Sequence, residues 1–104
     1  MALLTRVRIV GPSMEPTLGN GEWWVARRSH RLRPGQVVLL SHPHRPDMQV
    51  VKRLVRETPD GWWVEGDNPG SSDDSRSFGA VPSELIRGRL WFRYGRDRHA
   101  RAGS

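Results

Sequence analysis

Glycine and proline punctuate this chain at short intervals, eleven and eight of them in 104 residues. Proline locks φ and removes a backbone donor, and glycine weakens any helix interior, so long helices are excluded and short strands joined by turns remain. Strand-like runs fall at residues 6–10, 22–28, 36–41, 49–57, 62–65 and 87–94. They predict a mainly β fold, one compact curled antiparallel sheet with minimal helix. Thr58-Pro59-Asp60-Gly61 is a strong turn signal that joins the fourth and fifth runs as a hairpin and sets Lys52 inside a strand. The only helical signal is a single turn over residues 82–86, with Ser83 near its start. Residues 1–94 read as one domain and residues 95–104 as a basic, disordered tail. Of the tryptophan pairs Trp23-Trp24 and Trp62-Trp63, one member each is expected in the core, because neighbours on a strand face opposite ways.

Charge narrows the function classes. The net charge of +6 resembles a nucleic-acid signal until it is divided along the chain. Residues 87–104 hold six arginines against Asp97, whereas residues 1–86 hold eleven basic and ten acidic groups. The body is therefore nearly neutral, and no nucleic-acid partner is expected. With no cysteine, thiol nucleophiles, disulfides and zinc–thiolate clusters are excluded. No run approaches the ~18 apolar residues of a membrane span, and no signal peptide is recognisable, so no integral membrane segment and a cytoplasmic location are expected.

Of 17 basic side chains only Lys52 is lysine. Guanidinium stays protonated while a buried ammonium becomes a neutral base, so a chain otherwise built on arginine keeps its lysine where a proton must leave. A lysine-poor genome explains the same solitude, and a partner nucleophile is needed to decide. Ser13 lies in the loop Gly11-Pro12-Ser13-Met14-Glu15-Pro16-Thr17-Leu18, where two prolines restrict the backbone and present the hydroxyl rigidly. On local composition alone it reads as a plain turn serine. The histidines offer no convincing base: His42-Pro43-His44 resembles a metal-ligand pair, but its prolines break the elements that would align both rings, and no metal or cofactor is expected.

Three boxes in order, Ser13-Met14-Glu15-Pro16-Thr17, then Val51-Lys52-Arg53, then residues 66–79 from Gly66-Asp67-Asn68 through Ser72-Asp73-Asp74-Ser75-Arg76, closely resemble the signal peptidase I family. The resemblance implies a serine endopeptidase in which Ser13 attacks the peptide carbonyl and neutral Lys52 takes its proton. It makes Ser72 the hydroxyl that orients the lysine, Asp74 and Arg76 an ion pair shaping the site, and Asp67 and Asn68 structural. The backbone around the nucleophile, Gly11, Pro12 and Met14, would frame the oxyanion site. Some relatives carry a serine hydroxyl where this chain has Gly11, and loss of one such donor costs about 10² to 10³ in rate. The short, anchorless sequence further resembles the small maturation proteases of nickel superoxide dismutase. The implied substrate is a protein precursor whose N-terminal extension binds in extended form. Two other readings stand beside it: a signal peptidase acting on exported preproteins, and a noncatalytic β module binding acidic partners through its arginine-rich end.

Overall fold

The computed structural model describes residues 3–97. Six strands run in chain order: β1 (Leu4–Arg8), β2 (Glu22–Arg27), β3 (Val37–His42), β4 (Arg45–Thr58), β5 (Gly61–Glu65) and β6 (Ile86–Arg96). They form one antiparallel sheet in the order β1-β2-β6-β3-β4-β5. Mainly β architecture with very little helix agrees with the sequence reading. The helical turn at Ser83–Leu85 matches the expected one; a second 3₁₀ turn at Pro69–Ser71 and the single-turn helix α1 (Ser75–Phe78) had no clear signal.

The strand boundaries differ from the sequence reading at places with physical causes. β4 begins at Arg45, ahead of the expected start, because Pro43-His44 closes a tight turn straight out of β3. β6 continues through Gly95 and Arg96, into the segment expected as tail. There Arg96 donates to the buried Glu22 carboxylate at 2.8 Å, and the Asp97 N–H donates to the Gly21 carbonyl at 2.7 Å. The remainder of the expected tail lies outside the described residues. Of the tryptophans only Trp62 is buried; Trp23 and Trp24 are both half-buried, so the expected inner–outer division fails for that pair.

Alternation along β3 divides the interior in two. Leu39 points into a cluster of Val7, Ile9, Met14, Leu18 and Ala26, while Val38 and Leu40 point the opposite way into Leu54, Trp62, Val64 and Val81. Burying both faces of β3 explains its nearly continuous apolar run, Val37-Val38-Leu39-Leu40.

The predicted turn forms, with Thr58 Oγ1 donating to the Gly61 carbonyl at 3.1 Å. Gly61 has φ of 134° and lies so close to the Trp62–Val81 bridge that a Cβ would sit 2.2 Å from the Val81 carbonyl oxygen. Gly61→Ala is therefore expected to destabilise the domain by about 2–3 kcal/mol, read as a lower urea midpoint at unchanged m-value.

Candidate active site

The Ser13 loop leaves β1 and is anchored from below. Met14 and Leu18, one helical turn apart, are both buried in the first apolar cluster, and the Leu18 N–H donates to the Met14 carbonyl at 3.0 Å. Met14 thus contributes packing by its side chain, a role beyond the oxyanion frame expected of it. Ser13 itself is half-buried, and Gly11, Pro12 and Ser13 line the same cleft. Gly11 has φ of 86°, and its N–H donates to Asn20 Oδ1 at 2.9 Å. A Cβ at Gly11 would meet open space, so backbone conformation rather than crowding selects glycine there.

β4 delivers Lys52. Val50, Lys52 and Leu54 share one face of the strand, and Val50 and Leu54 belong to the second apolar cluster. Lys52 is 3% exposed. Its Nζ donates to Ser72 Oγ at 3.2 Å, and Ser72 Oγ donates to Asp74 Oδ2 at 2.6 Å. Burial pushes the Lys52 ammonium below the usual lysine range, opposed by the negative charges of Asp74 and Asp73 and assisted by Arg76. The nearest carboxylate in the chain of hydrogen bonds is thus held off by a hydroxyl, an arrangement that orients the amine without giving it a direct anionic partner.

Asp74 is fully buried and saturated. It accepts from the Gly66 N–H at 2.9 Å, from the Arg76 N–H at 3.1 Å, from Arg76 Nε at 2.9 Å and from Ser72. Burial would raise its carboxyl, but the hydrogen bonds from Arg76, Ser72 and the backbone outweigh it and hold the group well below the usual carboxylate range. The same Asp74 caps α1, whose first turn it begins.

The third box also clamps the serine loop. The Asn68 N–H donates to the Ser13 carbonyl at 2.9 Å, and Asn68 Nδ2 donates to the Pro12 carbonyl at 3.1 Å. Asp67 accepts from Arg53 Nε and a second guanidinium nitrogen at 2.8 and 2.7 Å, and from Thr17 Oγ1 at 2.5 Å. Arg53 is the residue after the lysine and Thr17 ends the serine box, so one carboxylate fastens all three boxes together.

Two groups escaped the sequence reading. Gly66 is wedged between both serines: a Cβ there would lie 2.2 Å from Ser72 Oγ and 2.6 Å from the Ser13 carbonyl oxygen. Its identity was visible in the third box, but the close approach arises only on folding. His42, read as part of an exposed, proline-broken loop, is 5% exposed at the end of β3 and hydrogen-bonds Asp73 at 2.9 Å. His42 and Asp73 line the cleft that holds Ser13 and Lys52.

That cleft has a volume of about 390 Å³ and is walled by Val7 of β1 and Ile9 just beyond it on one side and by Val50 and Val51 of β4 on another. β1 is an edge strand, and β5 pairs β4 only from Arg53 to Thr58, so the preceding part of β4 is open on that side. Among the described residues no group of three or more histidine, cysteine or carboxylate side chains is placed to hold a metal ion.

Residues 4–79 match the family described as Peptidase S24-like. The chain is 35% identical over 107 residues to mitochondrial inner membrane protease subunit 1 of Xenopus tropicalis, and 32% identical to the human protein of that name. Each match covers 80% of this chain and 64% of the relative. It is also 35% identical to mitochondrial ATP-independent inner membrane protease subunit 1a of Arabidopsis thaliana, over 88% of this chain and 70% of that protein. The chain therefore spans less than two thirds of the length of the first two. These findings overturn the cytoplasmic placement drawn from the sequence, since the matched proteins are subunits of a protease of a membrane. Counting apolar residues tests only for a helical span and is silent on surface or subunit-mediated attachment. Among the described residues no helix is long and apolar enough to cross a bilayer.

Proposed function

Because this chain belongs to the S24-like peptidase family, we propose that it is a serine endopeptidase working through a Ser13/Lys52 dyad. The observation that carries this reading is the state of Lys52: a buried amine, oriented by Ser72, depressed by desolvation and opening on the same cleft as Ser13.

Neutral Lys52 accepts the Ser13 hydroxyl proton as Oγ adds to the scissile carbonyl, giving a tetrahedral oxyanion. The Ser13 N–H is the donor assigned to that oxygen; the Gly11 N–H is already engaged by Asn20. Collapse expels the amine, which takes the proton from Lys52, and leaves an acyl-serine ester. Water then attacks the ester, Lys52 again accepting the proton and returning it to Ser13. Ser72 keeps the amine directed throughout, and the buried Asp74 fixes Ser72.

The open edges of β1 and β4 suit an extended protein segment, held by main-chain hydrogen bonds and sorted by apolar side-chain pockets. The substrate is a precursor protein that loses an N-terminal extension. Nickel superoxide dismutase precursor is one such substrate; an exported preprotein is the other, and the relatives' names, which place them in a protease of a membrane, favour it. Purified chain incubated separately with each precursor, with the product N-terminus read by mass spectrometry, distinguishes the two. A discrete new N-terminus is expected with the wild type and none with Ser13→Ala. Undiminished cleavage by folded Ser13→Ala would sink the dyad.

A further inference from the structure

The family resemblance assigns Ser72, Asp74 and Arg76 and passes over the residue between the first two, Asp73. Its carboxylate is tethered to a buried imidazole. The His44 N–H donates to His42 Nδ1 at 3.1 Å, so Nδ1 is the acceptor and the ring hydrogen of neutral His42 resides on Nε2. Nε2–H then donates to Asp73 Oδ2 at 2.9 Å. The imidazole is 5% exposed and packs edge-on against Phe78 of α1 with ring centroids 5.0 Å apart, while the Asp73 side chain is 60% exposed. A mostly solvated carboxylate thus hangs on a rigid anchor built from β3, the β3–β4 turn and α1.

We propose that His42 and Asp73 form a positioning pair that fixes a negative charge beside Lys52 and thereby governs how readily the base gives up its proton. Around Lys52 of β4 stand Asp73, Asp74 and Arg76 of the third box; His42 holds Asp73, and the His44 ring lies edge-on to His42; Arg6 and Arg8 of β1 line the same cleft. Asp74 also favours the charged amine, and its ion-pair partner Arg76 opposes it. Asp73 is held by a neutral ring, so its charge acts on Lys52 uncancelled by its anchor. The pair favours the protonated lysine, which must still deprotonate to act, and so moves the acid limit of activity to higher pH.

The proposal rests on the Ser13/Lys52 reading for its functional meaning, but its test needs no substrate. Lys52 is the only lysine, so ¹³C-lysine labelling of the full chain gives one Cε resonance that follows the Nζ titration. Asp73→Asn keeps an acceptor for His42 and removes the charge; its titration is expected at lower pH, with about threefold more neutral amine well below the midpoint. His42→Phe, which frees the carboxylate, should move it the same way by less. His42→Gln, whose amide N–H replaces Nε2–H, should restore the wild-type midpoint. A resonance in folded Asp73→Asn that titrates with the wild type overturns the proposal, as does a His42→Phe curve coincident with wild type. Cleavage surviving in Ser13→Ala would sink the dyad alone and leave this titration standing.

Discussion

Lys52→Arg is expected to abolish cleavage although it preserves the charge and much of the side-chain length. Guanidinium does not deprotonate in a protein, so the variant keeps a cation facing Ser72 and loses the group proposed to receive the Ser13 proton. Loss of a general base costs about 10² to 10⁴ in rate, and in the proposed mechanism the same residue also returns the proton to the leaving amine. Single-turnover cleavage followed by mass spectrometry measures it. A folded Lys52→Arg protein within a factor of a few of wild type would remove lysine from the mechanism.

Stability gives that prediction a second, opposite-signed readout. A buried amine with a depressed titration point is costly wherever it is still charged in the fold. The unfolded chain holds its proton up to the ordinary lysine range, so between the folded and unfolded titration points the unfolded state binds more protons and stability rises with pH. Below that interval the folded state bears the full penalty. Lys52→Met, inactive like the arginine variant, is expected to be more stable than wild type by about 1 kcal/mol at pH 7, with the advantage shrinking as pH rises through the lysine range. Thermal unfolding at several pH values reads it.

The other large effect is expected at a residue without chemistry. Gly66→Ala places a methyl group 2.2 Å from Ser72 Oγ and 2.6 Å from the Ser13 carbonyl, so the third box and the Ser13 loop must separate. Overpacking of this kind costs about 1–3 kcal/mol of stability. The catalytic cost is larger, because displacement by an ångström of positioned groups loses on the order of 10² in rate. Gly70→Ala is the control four residues on: a Cβ there meets nothing within 4 Å and should leave both stability and cleavage near wild type. If Gly66→Ala cleaves like Gly70→Ala, the close approach has no bearing on the site.

The strands were legible because alternation and turn chemistry are local properties. Thr58-Pro59-Asp60-Gly61 specifies its hairpin within four residues, and the apolar run at Val37–Leu40 marks a strand wherever the rest of the chain lies. The site residues were legible for a different reason: Ser13, Lys52 and the third box recur in a family pattern, so their assignment is borrowed from resemblance. Misreadings fell where partners distant in sequence decide the outcome. Gly95 and Arg96 have no strand signal of their own, and it is Glu22 and Gly21, more than seventy residues earlier, that extend β6 over them. His42 sits between Ser41 and Pro43 at the end of its strand, and only the arrival of Phe78 and Asp73 buries its ring.

By itself the sequence determined a β domain of short strands, confined its basic excess to one end, and singled out one lysine and one constrained serine. These follow from residue identity, since a proline's φ, a lysine's titration and a strand's period are carried by the residues themselves. Only the tertiary structure decided that Lys52 is desolvated, that Ser72 stands between it and Asp74, and that Gly66 is the contact point of two serines 59 positions apart. Desolvation and charge proximity depend on which segments the sheet brings together, and no local property of the chain encodes that distance.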